Sequence, residues 1–236
     1  MNILSNSIIQ DLIQNVYKGV TDTFNYVLER YNPNDVFAYS LYIDDYCSYL
    51  GWAANTISHY DKEKLNYPRE EYPFIKWYYP QFAIGLGEVS EKIDSVFSNE
   101  IQNILITANE SITEDNFEQY QSEVYDSIIE GFKKAIASVD KEKTKNVIFF
   151  VSIADSDNTE IMGNYSAEQL NSYEKFITFK KGIVKCRDYI FNFLESPMIP
   201  FDNNGSERGI RKLKIKLKNS CTFRSDFGAD AFLELH

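Results

Sequence analysis

Residues 36–56 read VFAYSLYIDDYCSYLGWAANT, and the fold turns on how this stretch is parsed. Val36–Ile43 is short and rich in β-branched and aromatic residues, and the stretch Tyr49–Thr56 follows after five mostly polar residues, Asp44 to Ser48. Two strands joined by a polar loop predict a β-hairpin. Before it, apolar residues at Ile8, Ile9, Leu12, Ile13, Val16, Tyr17, Val20, Phe24 and Val27 repeat at helical spacing, which predicts one amphipathic helix over about 5–30. Asn32, Pro33 and Asn34 end it.

After the hairpin, residues 60–82 are predicted to be irregular, with Pro68, Pro73 and Pro80 around the aromatic run YPFIKWYYPQF. Prolines forbid a continuous helix here, so an extended segment lying across the domain is predicted. Two further helices are predicted over about 87–108 and 113–139, the second capped by Thr113 and carrying Phe117, Tyr120, Val124, Ile128, Phe132 and Ile136 on one face. VIFFVSIA, Val147–Ala154, is an unbroken apolar run of strand length and predicts a central strand. A short helix is predicted over 166–175. The sum is an α+β fold, a small sheet packed by long helices, with a mostly helical C-terminal appendage.

Composition narrows the function. At 236 residues and 44% hydrophobic, the chain has enough apolar surface for a core without disulfide or metal support. An aromatic content of 15% excludes intrinsic disorder. No apolar run approaches the ~20 residues of a membrane span, and MNILSNSIIQDLIQ has no signal-peptide pattern. Cys47, Cys186 and Cys221 form no CxxC and read as reduced thiols, so a cytoplasmic location and no membrane partner are expected. Charge is uneven: of the 24 Lys+Arg and 35 Asp+Glu, residues 176–236 hold 11 and 7, leaving 13 and 28 for residues 1–175. The front, at −15, repels nucleic acid, whereas the last quarter, at +4, can touch it. The chain therefore divides into an acidic α+β domain, 1–175, and a basic tail, 176–236, and the first is expected to fold without the second.

No catalytic constellation stands out. Asp44, Asp45, Asp155 and Asp157 lie at predicted strand ends and offer the oxygen ligands that Mg²⁺ or Ca²⁺ prefer. Aspartate is also common in turns, where it caps backbone N–H groups, and that is the better reading. His59 is the only histidine besides His236, with no GxSxG elbow to build a triad around it. IGLGE, 84–88, lacks the Lys-Ser/Thr of a phosphate loop. No cofactor, no metal and no enzymatic activity are expected. Trp77, Tyr78, Tyr79 and Phe82 are either core filling or, if one side is exposed, a surface for another protein.

The combination VFAYSLYIDD, AANT, a Trp-containing aromatic segment, NVIFFVSIADSDN and SAEQLN resembles the bacterial family numbered 4303 among the domains of unknown function. The resemblance covers about residues 1–175 and implies an α+β domain with no established catalytic residues. By analogy with other small acidic domains, it points to an immunity or partner role.

At the other end, FLESPMIPFDNNGSERGIRKLKIKLKNSCTFRSDFGADAF resembles the C-terminal part of insertion-sequence transposases of group 66. The matching positions are Phe193–Glu195, Pro200, Asp202, Asn203, Asn204, Glu207, Arg208, Arg211, Lys214, Lys216, Phe223–Ser225, Gly228 and Ala229. The resemblance implies an RNase-H-like enzyme using three carboxylates to hold two metal ions, with Glu207 as the last of them. Residues 1–175 show no matching strand pattern for the other two. The expectation is thus a non-enzymatic interaction protein carrying an inactive transposase remnant. The alternative is a DNA-binding, transposition-related protein acting through Arg208, Arg211, Lys212, Lys214, Lys216 and Lys218. Such contact would neutralise about 3–5 phosphates and weaken steeply with salt.

Overall fold

The computed structural model describes residues 3–190, apart from 88, 111 and 155–158. Helix α1, Asn6–Arg30, starts at Ser5, whose hydroxyl accepts the Ile8 amide, and buries Leu12, Ile13, Val16, Val20, Phe24 and Val27 in one stripe. The hairpin follows as β1, Val36–Asp44, and β2, Leu50–Thr56, paired antiparallel with Ser40 opposite Ala53. Helix α2, Ile57–Glu63, leaves β2 directly, with Thr56 accepting the His59 amide as its cap.

The proline-rich stretch is a chain of short helical turns rather than an extended segment. A 3₁₀ turn, Arg69–Glu71, leads into α3, Tyr72–Trp77, and a second 3₁₀ turn spans Tyr79–Gln81. Pro73 and Pro80 sit in the first turns of their elements, where the missing N–H has no intrahelical partner to lose. Prolines that exclude a long helix therefore start short ones. A two-residue strand β3, Ile84–Gly85, pairs with β2.

The next helical rod begins at Glu91 rather than near Gly87, which has φ +92°, a value no helix admits. It runs through α4, Glu91–Ser95, one π-helical turn, Val96–Ile101, and α5, Gln102–Asn109. As the sequence predicts, Thr113 caps the next element: it forms a capping box with Asn116, and a 3₁₀ turn passes into α6, Phe117–Ser138. After a short α7, Lys141–Thr144, comes β4, Ile148–Ala154, then α8, Thr159–Leu170, and α9, Tyr173–Ile190. The single short helix predicted over 166–175 is thus the end of α8 and the start of α9. The fold is α+β with a four-stranded mixed sheet.

Sheet order is β3-β2-β1-β4, with β4 parallel to β1, so β4 is an edge strand and not the central one. Its unbroken apolar sequence has a different cause: helices cover both sheet faces. Its outer edge is closed by side chains from beyond α8's midpoint. Ser166 Oγ accepts the Val151 amide at 2.8 Å, while Asn171 Oδ1 accepts the Phe149 amide at 3.0 Å and Nδ2 donates to the Phe149 carbonyl at 2.6 Å. Groups that a neighbouring strand would otherwise bind are thus satisfied.

On the first face, Tyr39, Leu41, Ile43, Trp52, Phe149 and Val151 pack against α1, α6 and the π turn. Helices α1 and α6 touch closely at Gly131, where a Cβ would lie 2.6 Å from the Ile13 carbonyl oxygen and 2.8 Å from Val16 Cβ. Gly131→Ala must push the helices apart and is expected to cost about 1–3 kcal/mol, read as a lowered melting temperature.

Glu123 on α6 ties down the start of the chain by accepting the Ile3 amide at 2.9 Å and the Leu4 amide at 2.8 Å. Desolvation pushes its pKa up, but those amides and Gln119 outweigh it and hold the carboxyl below its usual range. Because the folded-state pKa is lowered, the tie is complete above the unfolded carboxyl value of about 4.3 and is lost as pH falls through the folded one. Protection of the Leu4 amide, measured as its exchange relative to the intrinsic rate at each pH, should therefore fall as the pH drops through the lowered Glu123 value, and Glu123→Ala should lack that protection already at neutral pH.

Candidate functional site

The second sheet face carries Phe37, Ala38, Ser40 and Tyr42 of β1, Ala53 and Asn55 of β2, and Ile148, Phe150 and Ser152 of β4. The aromatic segment lies over it. Trp77 is buried, edge-on to Phe37 at 5.9 Å and to Phe179 at 5.4 Å. Phe82 meets Phe150 edge-on at 6.2 Å, and Phe150 lies 4.6 Å from Phe179. Tyr79 stacks on Tyr42 with centroids 4.3 Å apart, and Tyr78 stacks on Phe74 at 4.6 Å. Trp77 and Phe82 are therefore core residues, whereas Tyr78 and Tyr79 remain half-buried. Only the latter pair keeps a side that a partner can reach.

Helix α9 completes this second core. Phe176, Phe179 and Ile183 are buried, and Gly182 sits so close to the Trp77 indole nitrogen that any side chain there would collide with it. The helix runs through residue 175, so its first turn belongs to the acidic segment and its apolar face to the basic one.

His59 donates from Nε2 to the Gln81 carbonyl at 3.1 Å, since a carbonyl oxygen can only accept. It clips α2 to the turn after Pro80 and has a structural role. Asp44 closes the hairpin: Oδ1 accepts the Ser48 and Tyr49 amides at 2.7 and 2.8 Å, and Oδ2 accepts the Ser48 hydroxyl at 2.6 Å. This is the turn-capping role. Asp155 and Asp157 lie outside the described residues. Among the described residues no three His, Cys, Asp or Glu side chains are grouped to hold a metal ion. Cys47, at φ +51° in the hairpin loop, is buried and free, and burial pushes its thiol pKa up.

One residue of the aromatic run has a setting that the sequence reading missed. The Lys76 ammonium lies over three rings, 5.1 Å from the Trp77 centroid, 5.5 Å from Phe37 and 5.7 Å from Tyr60. Burial, and secondarily Lys64, lowers its pKa.

The family model for the domain of unknown function DUF4303 matches residues 16–172, more than half of the chain. The chain belongs to this family. A second family model, that of the IS66 transposases, matches residues 164–231. The DUF4303 chain thus shares residues 164–172 with the transposase match, and these include Ser166 and Asn171, which close the β4 edge. No curated protein and no solved structure matches the chain. Among the described residues no helix is long and apolar enough to cross a membrane. Glu207 and the basic residues Arg208, Arg211, Lys212, Lys214, Lys216 and Lys218 lie outside the described residues.

Removing the large ring of Phe179 leaves a cavity between Trp77 and Phe150. Phe179→Ala should cost about 3–5 kcal/mol. A chain ended after Lys175 should still melt cooperatively, but at a lower temperature than one ended after Ile190. Equal melting temperatures would show that α9 contributes nothing to the core.

Proposed function

We propose that this DUF4303 chain is a non-enzymatic bacterial interaction or accessory protein, of the immunity or partner kind, and that its transposase-matched segment is an inactive remnant. The observation that carries the reading is where the carboxylates are. Two-metal strand transfer needs aspartates on adjacent strands of one sheet, close enough to hold ions roughly 3.5–4 Å apart. The four described strands carry a single carboxylate, Asp44, and its oxygens are taken up by Ser48 and Tyr49. Glu207 then has no strand-borne partners in the described sheet.

The overlap of the two family matches adds support. Residues 164–172 work for the DUF4303 sheet by closing β4, a structural duty compatible with a gene fusion in which only the packing was kept. The cytoplasm is the compartment that suits the free, buried Cys47. The partner on this reading is another protein, and DNA contact is weak because the net charge of −11 opposes it.

The test is a strand-cleavage and joining assay on duplex DNA, using the full chain with Mg²⁺ or Mn²⁺. No product is expected, and Glu207→Ala should be indistinguishable from the parent chain. Metal-dependent nicking that disappears in Glu207→Ala would overturn the reading and favour a transposition-related function exercised through the basic tail.

A further inference from the structure

The hairpin loop is held from two sides. Asp44 accepts its Ser48 and Tyr49 amides, and side chains of α5 and α6 take its carbonyls. Gln121 donates to the Asp45 carbonyl at 2.7 Å and Asn109 to the Tyr46 carbonyl at 2.6 Å. The Tyr120 hydroxyl donates to the Cys47 carbonyl at 3.2 Å, and Gln102 to the Ser48 carbonyl at 2.8 Å. Each carbonyl from residue 45 to residue 48 therefore has a side-chain donor. The loop so fixed still turns a large ring outward: Tyr46 is 58% exposed, beside the half-buried Phe117 at a centroid distance of 6.3 Å. An aromatic side chain on a rigid loop loses little freedom when a partner covers it, which suits an interface anchor.

The charge around that ring is of one sign. Asp45 precedes Tyr46, Glu110 follows Asn109, and Glu114, Asp115 and Glu118 flank Phe117. The segments that build this end of the domain carry no lysine or arginine, at residues 31–61 or at residues 93–132. Glu114 and Asp115 lie in the first turn of a 3₁₀ element, where negative charge is favourable. Glu110 does not share that explanation, because it stands at the C-terminal end of α5, where a negative charge opposes the helix dipole. Helix stability thus leaves part of the cluster unaccounted for.

We propose that this end of the domain, centred on Tyr46, docks an arginine-rich segment of another protein. The inference rests on the interaction reading above and supplies its surface and the chemistry of its partner. Opposite charge selects the class of partner, since a basic segment is drawn in and paired while nucleic acid is repelled. The two rings then select arginine over lysine. A planar guanidinium stacks on an aromatic face and forks onto a carboxylate, whereas a compact ammonium matches neither shape.

The experiment measures binding of two fluorescein-labelled peptides, hexa-arginine and hexalysine, to the full chain by anisotropy at low salt. Hexa-arginine is expected to bind severalfold more tightly. Tyr46→Ala should weaken hexa-arginine by about two- to fivefold and erase its advantage over hexalysine. Tyr173→Ala, which removes a ring 76% exposed on α9, should change neither affinity. Glu110→Gln, Glu114→Gln and Glu118→Gln together should weaken both peptides more than Glu29→Gln, Glu70→Gln and Glu91→Gln, exposed residues elsewhere on the domain. That control, equal in charge, separates docking from general attraction of a polycation to an acidic protein. Absence of binding, equal affinities for the two peptides, a Tyr46→Ala effect no larger than that of Tyr173→Ala, or equal losses from the two glutamate triplets overturns the proposal. Any such result removes this surface and leaves the interaction reading standing, which metal-dependent strand cleavage would overturn instead.

Discussion

A tyrosine hydroxyl in the middle of the first core fixes how the main helix meets the sheet. Tyr39 on β1 has no exposed surface, and its ring is surrounded by Phe24, Trp52, Phe132 and Phe149 at centroid distances of 5.2–6.4 Å. Burial pushes its pKa up, so the phenol keeps its proton as a donor. The acceptor is Thr23 Oγ1 at 2.6 Å, and Thr23 in turn donates to the Gly19 carbonyl at 2.7 Å. A buried hydroxyl left without its partner costs about 1–3 kcal/mol, so α1 cannot rotate or slide by a residue on β1 without that loss. With α1 placed, Gly131 sets how closely α6 can lie beside it, and the first face is determined.

The second face follows from a different constraint. Once both sheet faces are covered, β4 can lie at the edge only if its outward N–H and C=O groups are satisfied. Ser166 and Asn171 do this with a hydroxyl and an amide, each able to donate and accept at once. Helix α9 then lies where Phe150, Trp77 and Phe82 need covering. Of the aromatic run, Ile75, Trp77 and Phe82 are taken up by packing, while Tyr72, Phe74, Tyr78 and Tyr79 stay half-buried.

The hairpin, the long α1 and the capped α6 were legible because each is local. β-Branched and aromatic content, 3.6-residue periodicity and a Thr cap are written within one element. The position of β4 was not legible, because an unbroken apolar strand reads the same in the middle of a sheet as at an edge hidden by helices. The short helical turns of 69–81 were missed because proline was read as a breaker, whereas Pro73 and Pro80 occupy first turns. Asp44 was rightly read as a turn-capping residue, since turn chemistry needs only the neighbours in sequence, whereas the bond from His59 to the Gln81 carbonyl joins residues far apart in the chain. Lys76 escaped because its meaning depends on Phe37 and Tyr60, which approach it only in the folded chain.

The shared stretch 164–172 and the continuation into α9 separate two kinds of inheritance. Apolar positions such as Phe176, Phe179 and Ile183 are held by the free energy of the second core, where one large side chain lost costs several kcal/mol, a sizeable part of ordinary domain stability. A catalytic carboxylate has no such hold: apart from its partner carboxylates it can be lost without any cost to folding. On the proposed reading, the transposase-matched segment would thus keep its helix-forming, ring-bearing pattern near the DUF4303 sheet and be free to lose its chemistry. That asymmetry follows from packing alone.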